Sequence, residues 1–363
     1  MKKLVLLVFL GALIAFLPTQ EASAQAHPDN LNWTPPANYP PAGARALDDV
    51  YLQGEFVEVG VNRAGSYGTD GPAPAGFHPQ EFGIGWVADY DGNGWDVGTP
   101  PQSGDYFLPG TPLEQWVLEF NIGATEYNFI NYGQGGLEQV TPANLDFVDN
   151  GSNQQAIWTG TATGGGNTVD VTATTLVEDE LYFRTDIVIT NNGPNTLSSV
   201  EYMRNVDPDQ EQNITGDFTT RNYVLNQPGE PGNPDTALLV SEGLNYGIPM
   251  AYYSIDPRAK VSLTSGGLSE QNPDFVLDTP IAPTQAAPNV EDRGVCIAFR
   301  EPTLAPGQSM TVRFYYLISQ EVIDDPGQID PPADVPLSDY AIYIAFALMV
   351  IFVATIIRFR RIG

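Results

Sequence analysis

Apolar and polar side chains alternate with a period of two along much of the chain. In "WVLEFNI" the residues Trp116, Leu118, Phe120 and Ile122 fall on one face, and in "MTVRFYYLI" Met310, Val312, Phe314, Tyr316 and Ile318 do the same. Shorter runs of this kind occur in "EFVEVGV", "FGIGWVA", "TVDVTATTLV", "LYFRTDIVIT", "MAYYSI" and "GVCIAF", separated by turn signals such as "TGGGN", "NNGPN", "NQPGEPGNP" and "LAPGQ". A pleated strand sends successive side chains to opposite faces, so each run predicts a strand with one buried side. Helical periodicity is nearly absent between the two ends of the chain. On the order of a dozen strands or more predict an all-β class, a large antiparallel β-sandwich that is either one large unit or two packed sandwiches. The absence of a fixed-period repeat argues against a propeller or a solenoid.

The ends follow a different pattern. Residues 1–24 contain Lys2 and Lys3, the apolar run "LVLLVFLGALIAFL" and the small-residue site "ASA" ending at Ala24, which predicts a secretory signal peptide and a mature chain beginning near Gln25. Residues 25–45 are Pro-rich and predict an extended arm. The β-sandwich ectodomain is expected over 46–320, and a polar loop near residue 150 either divides two domains or joins two sheets of one sandwich. Residues 321–339, "EVIDDPGQIDPPADVPLSD", have the acidic, Pro-rich composition of a stalk. The uncharged apolar run 340–357 is long enough to span a bilayer as one helix, and the basic tip 358–363, "RFRRIG", places the C-terminus in the cytoplasm. An exported cell-envelope or cell-surface location with a single-pass anchor follows as an expectation.

Charge narrows the list of partners. Setting the two end segments aside leaves 10 basic and 43 acidic residues between Gln25 and Asp339, a net charge of −33. Such a surface repels nucleic acid and anionic lipid headgroups, and divalent cations would offset its self-repulsion. The single cysteine, Cys296, can form no intramolecular disulfide, so stability must come from core size, with metals as an optional addition.

Two stretches resemble known families. The segment "LYFRTDIVITNNGPNTLSSVEYMRNVDPD", together with "LAPGQSMTVRFYYLIS", resembles the immunoglobulin-like repeat domains of bacterial surface proteins, in which an "NNGP" hairpin joins two sandwich strands. The sequence "VPLSD", the apolar run 340–357 and "RFRR" resemble the exosortase-type, PEP-CTERM-like C-terminal sorting signals, although a literal Val-Pro-Glu-Pro is missing. That resemblance implies a sorting protease or transpeptidase as a partner, besides the membrane itself.

Candidate chemistry centres on "DYDGNGWD". Asp89, Asp91 and Asn93 occupy positions one, three and five of a calcium loop, Gly94 the sharp turn at six and the Trp95 carbonyl position seven. Position twelve is Pro100, so the bidentate glutamate of an EF-hand is missing and Pro100-Pro101 forbid an exiting helix. A calcium-stiffened β-loop completed by Asp96 or Asp105 is the reading this supports, against a plain Asx-rich turn. A weaker cation candidate is "NVDPDQEQN", with Asp207, Asp209 and Glu211 at the same spacing but no turn glycine. Ca²⁺ in a structural role is thus the expected cofactor.

Catalytic motifs are scarce. The only histidines are His27 and His78, no G-x-S-x-G elbow is present, and no catalytic or cofactor-binding residue stands out. The expectation is therefore a non-enzymatic envelope protein with a structural or adhesive role, contacting cell-surface polysaccharide or other envelope proteins. The alternative is a carbohydrate-binding or carbohydrate-processing surface protein on the same sandwich, because a glycosidase needs only two carboxylates.

Overall fold

Among the described residues, the alternation seen in the sequence becomes seventeen strands: β1 (Val50–Gln53), β2 (Val57–Val61), β3 (Trp86–Ala88), β4 (Glu114–Ile122), β5 (Thr125–Tyr132), β6 (Thr141–Asp149), β7 (Gln154–Gly164), β8 (Asn167–Val177), β9 (Tyr182–Asn191), β10 (Leu197–Val206), β11 (Thr220–Asn226), β12 (Ala237–Gly243), β13 (Pro249–Ser254), β14 (Ala259–Leu263), β15 (Asn289–Glu291), β16 (Val295–Leu304) and β17 (Ser309–Leu317). The computed structural model describes residues 49–69, 71–78, 83–107, 114–132, 137–230 and 235–329. The segments 1–24, 25–45, 330–339, 340–357 and 358–363 lie outside the described residues. All described residues belong to one compact unit, Tyr39–Gly363.

Three antiparallel sheets result. β1-β2-β3 form the smallest, β14-β16-β10-β4-β5 a five-stranded sheet, and β15-β11-β12-β13-β17-β9-β8-β7-β6 a nine-stranded sheet. The principal core lies between the two larger sheets. Trp116, Leu118 and Phe120 of β4, Tyr202 of β10 and Phe299 of β16 share it with Ile187 of β9, Tyr252 of β13 and Val312, Phe314 and Tyr316 of β17. Alternation is clean where the second face meets solvent, as in β8 and β9. It fails where that face is covered too: Val117, Met203, Cys296 and Ala298 form a second core against Val276 of the helix Pro273–Asp278. Cys296 is therefore core filling, and burial pushes its thiol well up.

Two connections are notable. The loop between Asp149 and Gln154 is the turn of the β6–β7 hairpin inside the nine-stranded sheet. The "NNGP" segment is not a hairpin turn, because β9 pairs with β8 and β17 whereas β10 pairs with β4 and β16. It is a corner where the chain crosses from one sheet to the other. The buried Asn191 fixes that corner, donating through its amide to Asn195 O (2.8 Å) and Leu304 O (2.9 Å). A buried asparagine that satisfies carbonyls of two segments stabilises a crossing as well as Asn-Gly stabilises a turn.

One ion pair sits inside the main core. Arg204 of β10 and Glu114 of β4 are both buried and meet through two hydrogen bonds, with Arg204 Nη2 to Glu114 Oε2 at 3.3 Å. Arg204 Nη1 also donates to Tyr202 Oη (3.0 Å) and Gly65 O (3.2 Å), and its guanidinium lies 4.6 Å from the Tyr67 ring centroid. Tyr67 N donates to Glu114 Oε2 at 2.7 Å. Every partner is internal, which marks the pair as structural rather than as a ligand site.

Candidate functional site

The "DYDGNGWD" loop follows β3 and is closed by its own hydrogen bonds. Gly94 N donates to Asp89 Oδ2 (2.8 Å), Gly92 N to Asp89 O (3.2 Å) and Asn93 Nδ2 to Asp91 Oδ2 (2.7 Å), with Gly92 and Gly94 at positive φ. Asp89 is buried and its Oδ1 has no hydrogen-bond partner; burial pushes its carboxyl up. Asp91, Asn93 and Asp96 are exposed. The Trp95 indole donates to Glu55 O at 2.7 Å. Asp105 points its oxygens elsewhere, accepting from Gly85 N (2.8 Å) and Phe107 N (2.9 Å).

The second acidic cluster is rearranged relative to its order in the sequence. Glu211 turns away and accepts from Asn245 N (2.7 Å), Tyr246 N (2.9 Å) and Ile248 N (3.1 Å), pinning the β12–β13 connection. Its place beside Asp207 and Asp209 is taken by Asp292, which follows β15; carboxylate oxygens of the three lie within 4.8 Å of one another. Burial pushes Asp207 up to about 7 and Asp209 up to about 9, with Asp292 raising both and Asp207 adding to the rise of Asp209. Sequence spacing had no means of finding Asp292. Only the pairing of β15 with β11 brings it to the end of β10.

A third site lies on the outer face of the five-stranded sheet. Glu201 of β10 is in register with Glu119 of β4, and both are buried. Directly opposed strand residues have Cβ atoms about 5 Å apart, so two carboxyl groups are held side by side. A bulge between Ser198 and Glu201 re-aims the glutamate, and Ser199 within it takes φ 45°, a left-handed conformation costly for a non-glycine residue. The Ser199 hydroxyl donates to Glu201 Oε1 at 2.7 Å. Arg300 Nε also donates to Glu201 Oε1 at 2.7 Å, while Glu201 Oε2 is buried with no partner.

The two glutamates have different surroundings. Burial pushes Glu119 up to about 7, and the Asn128 amide, which donates to Glu119 Oε2 at 2.9 Å, only partly opposes this. Burial also raises Glu201, but the Ser199 hydroxyl and the Arg300 guanidinium pull it back. Glu126 and Asn128 are exposed and Asp274 is half-buried, so the pair lies just below an accessible rim. Sequence reasoning missed it. The available signal was a glutamate flanked on both sides by large apolar residues, in Leu118-Glu119-Phe120 and in Val200-Glu201-Tyr202.

His78 is the one described histidine. Its Nδ1 lies 2.9 Å from Oε1 of the buried Glu58, and its ring stacks on Trp95 with centroids 4.0 Å apart. Trp95 is thus engaged on one face by His78 and tied through its indole nitrogen to the backbone.

No family model matches the chain, and no curated protein matches it. Among solved structures it is similar to a galactose mutarotase related enzyme from Lactobacillus acidophilus, at 9% identity and a TM-score of 0.35, over 74% of this chain and 97% of that one. It is also similar to the GalM/aldose epimerase homologue from C. elegans, at 8% identity and a TM-score of 0.37, over 75% and 98%. A third is the 4-alpha-glucanotransferase from Thermococcus litoralis, at 6% identity and a TM-score of 0.31, where the chain covers 74% of its own length and spans 37% of the enzyme. The sequence-based expectation of a non-enzyme is corrected here. The three solved chains just described are named for carbohydrate chemistry: a galactose mutarotase related enzyme, a GalM/aldose epimerase homologue and a 4-alpha-glucanotransferase.

Proposed function

We propose that this chain is an exported surface protein that binds or processes carbohydrate, with Glu119 and Glu201 as the groups that face the sugar. The observation that carries the reading is the register pairing of these two glutamates, held by a strained bulge and given unequal surroundings. Chemistry at an acetal or hemiacetal carbon calls for a carboxyl group that can lend a proton and a second that stays negative beside the developing positive charge. Glu119, at about 7, holds its proton about half the time near neutrality and faces no guanidinium among the described residues. Burial raises Glu201 as well, but the Ser199 hydroxyl and the Arg300 guanidinium, which also pairs with Asp274 and Asp278, oppose the rise on Glu201 and not on Glu119. The proton would pass from Glu119 to the departing or ring oxygen of the sugar and return from water or from the sugar hydroxyl formed.

Export is supported by the sequence of residues 1–24, and presentation at the envelope by the apolar run 340–357 with its basic tip. Polysaccharide at that location would supply the ligand. The reading replaces the structural or adhesive role first expected. Exposing the full chain to a panel of oligosaccharides, and following both binding and product release, tests it; a panel neither bound nor altered overturns it.

A further inference from the structure

A carboxylate taken out of water normally finds a donor or a positive charge. At the end of β10 two of them leave an oxygen with neither among the described residues. Asp207 and Asp209 are buried, and each keeps an Oδ1 with no hydrogen-bond partner. Arg204, the arginine nearest to them along the chain, is paired with Glu114 in the core, and Arg293, next to Asp292, sends its guanidinium to Thr264 O at 2.6 and 3.2 Å and to Glu291 Oε2 at 3.3 Å. A third carboxylate, Asp292, approaches the same point rather than avoiding it, which brings oxygens from all three within 4.8 Å of one another.

We infer that Asp207, Asp209 and Asp292 form a binding site for a divalent calcium ion, independent of the glutamate pair on the sheet face. Oxygens bound to one calcium at about 2.3 to 2.6 Å cannot lie more than about 5 Å apart, and the three carboxylates already meet that limit. The donors are all hard oxygens. The described histidine and the cysteine are both engaged elsewhere, so zinc has no soft ligand here.

The scaffold fixes the donors before any ion arrives. Asp207 follows directly on β10, and Pro208 limits the backbone between it and Asp209. Asp209 N donates to Tyr106 O at 2.8 Å, and Gln212 N donates to Asp209 O at 2.9 Å. Asp292 is set by the pairing of Glu291 with Thr220. Asp292 is also exposed, which gives an ion a route in and leaves coordination positions open to water on that side.

The test uses the full chain in detergent, stripped of metal and titrated with calcium chloride in a calorimeter, beside Asp209→Asn and Asp89→Asn. Wild type and Asp89→Asn are expected to bind one calcium alike at this site, and Asp209→Asn to bind it more weakly by about tenfold or more. Calcium affinity unchanged in Asp209→Asn, no calcium binding by wild type, or a preference for magnesium would each overturn the assignment. A second readout guards against a variant that merely misfolds. In chelator Asp209→Asn should melt at or above the wild-type temperature, because an amide keeps this buried position uncharged when no ion is bound, whereas with calcium the order should reverse. A variant that melts below wild type in both conditions would contradict a metal role.

Discussion

Glu119 and Glu201 stand opposite one another on adjacent strands, yet only Glu201 meets a guanidinium, with Arg300 Nε 2.7 Å from its Oε1. The asymmetry has a pH signature. Glu119 has a folded-state value of about 7 against 4.5 for the free side chain, so the native state holds the proton more tightly. Its contribution to stability is complete below pH 4.5 and is lost as pH rises through 7. Glu119→Gln should remove this dependence and raise stability at pH 8 by roughly 1 to 3 kcal/mol, an amount reduced by water at the rim. Urea melts of both proteins at pH 5 and pH 8 check it, and parallel pH profiles would contradict it.

The bulge that aims Glu201 stores backbone strain at Ser199, φ 45°. Glycine tolerates that conformation and alanine does not, although both remove the hydroxyl. Ser199→Gly should therefore be more stable than Ser199→Ala by about 1 kcal/mol. Thermal melting of the two variants side by side is sufficient, and equal stabilities would show that the residue is unstrained.

Inside the core, Glu114→Gln leaves the Arg204 charge without a counter-ion where water cannot reach it. Breaking a buried pair from one side costs about 3 to 5 kcal/mol. The denaturant midpoint should fall accordingly, whereas exchanging both residues together for apolar ones of similar volume should cost much less.

Gly243 makes room for Glu211, since a Cβ there would lie 2.1 Å from the Glu211 carboxyl carbon. Gly243→Ala should displace that carboxylate from three backbone N–H groups and destabilise the protein by about 2 to 4 kcal/mol. Faster amide exchange at Asn245, Tyr246 and Ile248 would locate the damage; unchanged exchange would refute the role given to Glu211.

What the sequence revealed was local. Alternation in β4 and β17 placed Trp116, Leu118, Phe120, Met310, Val312, Phe314 and Tyr316 in the core, where they are found. Alternation could not reveal which strands become neighbours. The Asn-Gly signal at Asn192 reads equally as a hairpin or as a corner, and the buried bonds of Asn191 decide for the corner. For the same reason the acidic spacing reached Asp207 and Asp209 but not Asp292, and neither Glu119 nor Glu201 stood out among 43 carboxylates. Those groupings exist only through β4–β10 and β11–β15 pairing.

The central claim is that carbohydrate meets this protein at Glu119 and Glu201. Its most direct test is one oligosaccharide panel presented in parallel to the full chain and to Glu119→Gln, recording bound and altered sugars. The expected result is at least one sugar bound or converted by wild type, with conversion reduced by about a hundredfold or more in the variant, as for loss of a positioned acid. Where wild type only binds, its affinity should drop in the variant. Sugars handled equally by both proteins, or by neither, would contradict the account.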